Sequence, residues 1–503
     1  MEIVNIDWER KQELVENGDI TIRAAEDGQY VSQGDKQNVK DDDTTITQKD
    51  SETATDKTIK IETTGDATAD VTIEKVNIKS SGDAIDVGSS SANITLKGDN
   101  KIFSENGSAL HVSSGDVTID GNGSLEAEIG GEDSANENAK IGSHKNENMS
   151  GSIHITGDAT VTTKDDRSDN YGGDGAGIGS GENGEMSGSI TIDENANVDA
   201  FSQEDGAGIG SGYGGGMSGN ISISGSAQVT AGSDDDGAGI GAGEDGSIAG
   251  NGKIIIRDNA KVTAPMVMEG AGIGAGEDEL MAGMIIIQDN AQVTAIAGDR
   301  AAAIGSDNLD EMTGTIIIIG NARVTTGILD DDDVSFDYDT KEIKYTLEEN
   351  AIGYIGDSKY SNHESDEGHY IIGPDVTING ISGSDIEALK DYINVRLSGE
   401  NHDGEPENLT RLDIRSENGK FTVDASGEGK VEKILYGGSE TVPTAPGTYP
   451  VTCVVRLGNG TTLEFQIGTF VVPELKSPAE AVQAARRQVG PPAPPAIIIW
   501  DNG

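Results

Sequence analysis

The sequence predicts an all-β protein: a right-handed parallel β-helix (a β-solenoid) followed by a small immunoglobulin-like β-sandwich. Three observations carry that expectation. A glycine-rich block recurs six times, apolar columns keep the same period, and the composition suits many short strands joined by tight turns. The chain has 503 residues, including 70 glycines, and only 4% of it is aromatic. That is room for one elongated repeat domain with additions, at about 100–200 residues per ordinary domain.

The block reads Gly175-Ala176-Gly177-Ile178-Gly179, a glycine-rich loop, Ser189-Ile190-Thr191-Ile192, a short turn, and Asn197-Val198-Asp199-Ala200. Its anchor recurs at Ile141, Ile178, Ile209, Ile240, Ile273 and Ile304, at separations of 37, 31, 31, 33 and 31, with a degenerate seventh copy at Ala351-Ile352-Gly353. Isoleucine pairs from Ile153/Ile155 to Ile316/Ile318 and valines from Val161 to Val324 keep step. Three short strands per repeat, each pointing alternate residues one way, describe one coil of a three-faced β-helix, and parallel crossovers of this kind turn right-handed. No 3.6-residue period runs through the blocks, which excludes a helical solenoid.

The turn between the second and third strands carries Asp158-Ala159, Asn195-Ala196, Ser226-Ala227, Asn259-Ala260, Asn290-Ala291 and Asn321-Ala322. Stacked about 4.8 Å apart, these make a ladder of amides above a ladder of methyl groups, with Asn expected to take the left-handed corner conformation. Shorter units upstream, such as Thr58-Ile59-Lys60-Ile61 and Ile94-Thr95-Leu96, read as earlier coils. Residues 1–50 read as an N-terminal cap with irregular first coils, a short polar helix or cap covering Trp8 to Asn17, and residues 51–373 as the β-helix. Residues 374–474 lose the glycine block and alternate strands with Pro/Gly turns, the pattern of a sandwich. A helix from Pro478 to Gln488 and a proline-rich spacer fill residues 475–503.

The formal charge is −54, which opposes any phosphate backbone or anionic membrane surface. No stretch approaches the ~18 apolar residues of a membrane span. Met1-Glu2-Ile3-Val4-Asn5 has neither a basic nor an apolar signal region, so export would need a signal outside this sequence or another route. The single cysteine, Cys453, lies in an apolar run and reads as a buried strand residue.

One acidic column precedes the glycine block: Asp174, Asp205, Asp236 and Glu269. Carboxylates stacked coil on coil repel by about 1 kcal/mol per pair even in water. The column therefore expects either a solvated edge or cations held by hard oxygen ligands, calcium first. The calcium nonapeptide Gly-Gly-x-Gly-x-Asp is not matched by Gly-Ala-Gly-Ile-Gly. The glycines do not make a phosphate cradle, because no helix follows and no Lys-Ser/Thr closes the loop.

His111, His144, His154, His363, His369 and His402 are scattered in sequence, and no catalytic constellation breaks the repeat, so the expectation is a protein that is not an enzyme. Aromatics gather late, and Tyr338, Tyr345, Tyr354 and Tyr360 are the candidate ligand-binding residues, weighed against simple packing at the solenoid's end. One outward column turns from His154, Thr191 and Ser222 to Ile255, Ile286 and Ile317. Something covers such a stripe: first the chain's own segment 328–350 or its second domain, otherwise a second copy in self-association through Ile255, Ile286 and Ile317.

Gly206-Ala207-Gly208-Ile209-Gly210-Ser211-Gly212 and Gly225-Ser226-Ala227-Gln228-Val229-Thr230 resemble the repeats of large surface proteins from anaerobic Gram-positive bacteria. More loosely, they are similar to the β-helix carbohydrate-binding domain family, which binds acidic polysaccharide with calcium. The likeness covers about residues 80–330, and Ala445-Pro446-Gly447-Thr448-Tyr449 resembles bacterial immunoglobulin-like surface modules. No sorting motif or membrane anchor accompanies it. The resemblance implies an extracellular or cell-surface binding or adhesion protein whose partner is a polysaccharide or host surface, without nucleic acid or membrane insertion. The alternative is a structural fibre or tailspike-like component of a virion or injection apparatus, and a polysaccharide lyase or hydrolase comes third.

Overall fold

A computed structural model describes residues 12–130, 137–165, 173–266, 269–277, 279–298, 301–306, 312–328, 336–337, 342–343, 351–353, 368–395, 406–417 and 420–473. The protein is nearly all β, and three long sheets, predominantly parallel, of fourteen, thirteen and eleven strands run its length. Each coil gives one strand to each sheet. In one coil these are Ile178–Gly179, Ser189–Ile192 and Asn197–Ser202, here called the Ile-Gly, Ile-pair and Val-Thr strands.

The columns read from the sequence are the ladders of the fold. Ile190 pairs with Ile221, and that row continues through Ile254, Ile285 and Ile316. Val198 pairs with Val229 and Ile178 with Ile209. The seventh copy is real, since Ile304 pairs with Ile352. Each of these residues is buried, as are the turn alanines Ala159 to Ala322. A fully buried Ile or Val contributes about 1.5–3 kcal/mol, so several such residues in every coil outweigh any single repulsion on the surface. A further column was not anticipated: Met149, Met186, Met217, Ile248 and Met281 bridge coil to coil inside the corner before the Ile-pair strand. There the adaptable thioether fills the bend.

The glycine after the anchor is required from Ile141 onward, whereas earlier coils hold Lys60, Asp86 and His111 there. Gly179 and Gly210 hold φ of +146° and +145°, and a Cβ on Gly179 would fall on the carbonyl oxygen of Gly210 in the next coil. No side chain fits that stacking distance.

The amide ladder forms, with Asn195 Nδ2 donating to Asp158 Oδ1 at 3.1 Å and Asn290 Nδ2 to Asn259 Oδ1 at 3.3 Å. Its backbone differs from expectation. The left-handed residue is the one before the ladder position: Gly157, Glu194, Gly225, Asp258, Asp289 and Gly320. The corner is turned one residue early, which leaves the Asn free to project along the stack.

The ladder starts within the irregular first coils expected in residues 1–50 and, at the other end, runs past residue 373. Gln12–Leu14 is a strand and Val15–Asn17 a 3-10 turn, in place of the expected helix, because Gln12 to Leu14 pair in parallel with Thr45 to Thr47. Ile20–Ala25 likewise pairs in parallel with the strand Ile59–Thr63. An antiparallel meander of Ile20–Ala25, Gly28–Gln33 and Lys36–Lys40 closes that edge of the Ile-Gly sheet. At the other end Tyr370 pairs in parallel with Leu409, so the Ile-pair sheet continues past Gly373 into the hairpin of Leu409–Glu417 and Lys420–Gly427. A three-stranded antiparallel sheet follows, of Lys430–Tyr436, Gly447–Arg456 and Thr462–Val472.

That last sheet covers the apolar stripe. Ile286 and Ile317 are buried in one cluster with Leu412, Phe421, Cys453 and Phe465, and Ile255 packs at its margin. Of the covers expected from sequence, the second domain is the one found, and Ile286 and Ile317 beneath it are not open to a second copy. His369, on the Ile-pair sheet, fastens it. Its Nδ1 lies 3.0 Å from Glu428 Oε2, and its Nε2 accepts from Asn459 Nδ2 at 2.7 Å. Asn459 is oriented for this because its Oδ1 accepts from the Thr461 amide.

Among the described residues no helix is long and apolar enough to cross a membrane. The segment 475–503 and its expected helix lie outside the described residues.

Candidate functional site

The four acidic residues singled out from sequence stand on one corner, just before the Ile-Gly strands. A second column, four residues after each anchor isoleucine, runs beside them: Lys145, Glu182, Tyr213, Glu244 and Glu277. Backbone bonds lock the two columns together. The amides of Glu182, Tyr213, Glu244 and Glu277 donate to the carbonyls of Glu137, Asp174, Asp205 and Asp236 at 2.8, 2.8, 2.9 and 3.0 Å. Glu137, four residues before Ile141 as Asp174 is before Ile178, is therefore the first member of the first column.

The two columns make a rail of repeated carboxylate cups. Glu137, Asp174 and Glu182 bring oxygens within 4.8 Å of one another, as do Asp205, Asp235 and Asp236, and again Asp236, Glu244 and Glu277. The first cup holds a cation of the protein's own: Lys145 Nζ lies 2.7 Å from both Glu137 and Glu182. Among the described residues no Lys or Arg pairs with Asp205, Asp235, Asp236 or Glu244 further along. Asp236 Oδ1 is shielded from solvent without a hydrogen-bond partner among the described residues.

The electrostatics follow from this crowding. Burial, then the charges of Asp205 and Glu182, pushes Asp174 up to about 7. Burial with Asp236 and Asp205 takes Asp235 to about 7, and burial with Asp205 takes Glu244 to about 8. Asp205 and Asp236 are raised in the same direction by burial and by Asp236 and Glu269 respectively. Near neutral pH the rail holds protons that carboxylates in water would release, so it is poised to exchange them for cations.

Tyr338, Tyr345, Tyr354 and Tyr360 lie outside the described residues. Tyr370, their neighbour in sequence, is a fully buried core residue whose hydroxyl lies 3.8 Å from Met312 Sδ.

The histidines are not all scattered. His111 and His144 stack with ring centroids 3.8 Å apart and planes 7° apart, among Asp83, Asp86 and Glu147. Burial opposes a charge on His111, but its hydrogen bonds to the accepting carboxylates of Asp86 and Glu147 and the nearby charge of Asp83 prevail and raise it to about 9. A shallow concavity lined by Arg23, Asp27, Tyr30, Asn38 and Glu62 lies at the first coils, remote in sequence from the rail.

The class that the fold defines is thus an all-β protein with a long parallel, solenoid-like repeat and an antiparallel C-terminal layer. Comparison with protein-family models, curated protein sequences and solved structures returns no match to this chain.

Proposed function

We propose that this is a non-enzymatic extracellular binding or adhesion protein, whose acidic solenoid corner engages a glycan or host surface through bound calcium. The carrying observation is the repeated carboxylate cup. Its first copy holds Lys145 between Glu137 and Glu182, whereas among the described residues no lysine pairs with Asp205, Asp235, Asp236 or Glu244. All the side-chain donors in these cups are carboxylate oxygens, the ligand type that suits calcium over softer metals. A cation bridging protein and ligand carboxylates would give an acidic protein a route to an acidic polysaccharide, which direct contact between like charges opposes.

The C-terminal layer is read as an immunoglobulin-like spacer. Two observations support that reading: a core shared between facing antiparallel strands around Cys453, and Tyr449 Oη donating to Ala445 O at 3.0 Å, a hydroxyl-to-upstream-backbone bond like that of a tyrosine corner.

The test is retention of the protein on immobilised acidic polysaccharide with calcium and with chelator. Retention that needs calcium and fails in Asp205→Asn/Glu244→Gln supports the reading. Retention indifferent to both overturns it, and new reducing ends or unsaturated sugars released from the column would replace it with an enzyme.

A further inference from the structure

Where the rail begins, three successive coils bring a different set of donors together on the outer side of the Ile-Gly sheet. Asp83 and Asp86 flank Ile85 in the first, His111 follows Leu110 in the second, and His144 and Glu147 lie in the loop after Ile141 in the third. The ladder Ile85, Leu110, Ile141 holds them in register.

We propose that Asp83, His111 and His144 form a binding site for one divalent transition-metal ion of the zinc class, with Asp86 as a fourth donor. His144 Nε2 lies 2.7 Å from Asp83 Oδ1, and His111 Nδ1 lies 2.9 Å from Asp86 Oδ1 and 3.7 Å from Asp83 Oδ2. Ligands at zinc distances of about 2.0–2.1 Å in a tetrahedron stand about 3.4 Å from one another. The observed separations straddle that value and the ligand atoms of Asp83, His111 and His144 lie within 4.8 Å of one another, so an ion would be met by turning the two stacked rings until both lone pairs point at it.

The surroundings are those of a prepared site. Glu147 Oε2 lies on the far side of both rings, 2.9 Å from His111 Nε2 and 3.8 Å from His144 Nδ1, where a carboxylate orients metal-binding imidazoles. Asp83 is fixed in turn, its Oδ1 accepting from the Ser108 amide at 2.9 Å. The parallel stacking of the two rings sends His111 Nδ1 and His144 Nε2 toward the same carboxylate. The side chains of His111 and Asp83 are 11% and 18% exposed and those of His144 and Asp86 34% and 32%, so the coils hold the inner pair while the outer pair opens to solvent, where an ion can enter. Two imidazole nitrogens also separate this site chemically from the all-oxygen rail, since imidazole suits zinc, copper or nickel and not calcium.

The experiment uses the full chain stripped with chelator, titrated calorimetrically with zinc, alongside the visible spectrum of the cobalt-loaded protein. We expect one zinc per chain at this site, undisturbed by excess calcium, with at least tenfold weaker binding in His144→Gln and in Asp83→Asn. Circular dichroism establishes that each variant is folded. Cobalt bound to the unaltered protein should show the intense bands of four-coordinate nitrogen and oxygen ligation, a readout that needs no variant. The proposal is overturned if zinc is not taken up, if both folded variants bind as tightly as the parent, or if cobalt keeps the weak spectrum of the hydrated ion. In those cases His111 and His144 are ion-pair partners of the carboxylates and nothing more.

Discussion

Lys145 Nζ stands 2.7 Å from Glu182 Oε2, one coil away, while the equivalent second-column positions later in the chain hold Glu244 and Glu277. One position thus supplies a fixed cation at the start of the rail and further negative charge beyond it.

Moving that cation along the rail should stabilise the protein. Glu244→Lys would place an ammonium in the cup of Asp236 and Glu277, as Lys145 sits between Glu137 and Glu182. The expected outcome, read by calorimetry in chelator near neutral pH, is a midpoint higher by a degree or more. The additional rise given by calcium should shrink. A lower midpoint would show that the cup cannot seat a side-chain cation.

The rail sets a pH dependence of known sign. Asp174, Asp235 and Glu244 hold pKa values of about 7, 7 and 8 when folded, above the unfolded values of about 3.9 for Asp and 4.3 for Glu. A raised folded value means that the stability contribution is complete below the unfolded pKa and is lost as pH rises through the folded one. His111, raised to about 9, acts in the same direction between about pH 6.5 and 9. Without divalent cations, thermal midpoints should therefore fall from about pH 4 to about pH 9. Glu244→Gln should flatten the rail's share and leave the part due to His111.

Gly210→Ala should be among the most damaging small changes in the chain. Its φ is +145°, and a Cβ there would land on the Gly241 carbonyl oxygen. Overpacking costs about 1–3 kcal/mol where neighbours can shift, and here the neighbour is backbone paired on both sides, so the upper end is expected. Denaturant titration of Gly210→Ala beside Ser211→Ala, which removes a hydroxyl that accepts from the Gly243 amide but adds no atom to the stack, measures it.

Ending the chain at Gly429 should expose Ile286, Ile317 and Ile371, now buried under the three-stranded sheet. The shortened protein is expected to bind an apolar dye and to associate in light scattering, while the full chain does neither through this face. A shortened chain that stayed free of dye and monomeric would mean the stripe tolerates water.

Cys453 is fully buried, and burial pushes its thiol up to about 12. Iodoacetamide at mildly alkaline pH should leave it unmodified in the native protein and label it in denaturant, because the thiolate is the reactive form. Labelling without denaturant would report local opening of the C-terminal layer.

The coil period was legible because each isoleucine and valine column obeys one geometric rule, that stacked strands repeat their inward residues in register. Glu182, Glu244 and Glu277 follow the same period, yet nothing in a glycine-rich loop says that its carboxylates face the neighbouring column; the backbone bonds to Glu137, Asp205 and Asp236 decide that. The histidine pair was missed for a narrower reason. Leu110 stands 31 residues before Ile141 and pairs with it, but a leucine did not look like the anchor isoleucine. With Leu110 in the column, His111 and His144 fall one and three residues past successive anchors. The C-terminal boundary was blurred because Leu409–Glu417 belongs to both architectures, parallel to His369–Ile372 on one edge and antiparallel to Lys420–Gly427 on the other.

In the regular stretch the anchors Ile178, Ile209 and Ile240 each pair only with the coil before and the coil after. The heritable unit of such a body is a whole turn. Duplicating or deleting one 31-residue stretch between Ile178 and Ile209 would leave both ends able to dock as before. A lineage carrying this fold could thus lengthen or shorten its reach in steps of about 4.8 Å, and because most coils in this stretch bring their own acids, length and ion capacity would grow together.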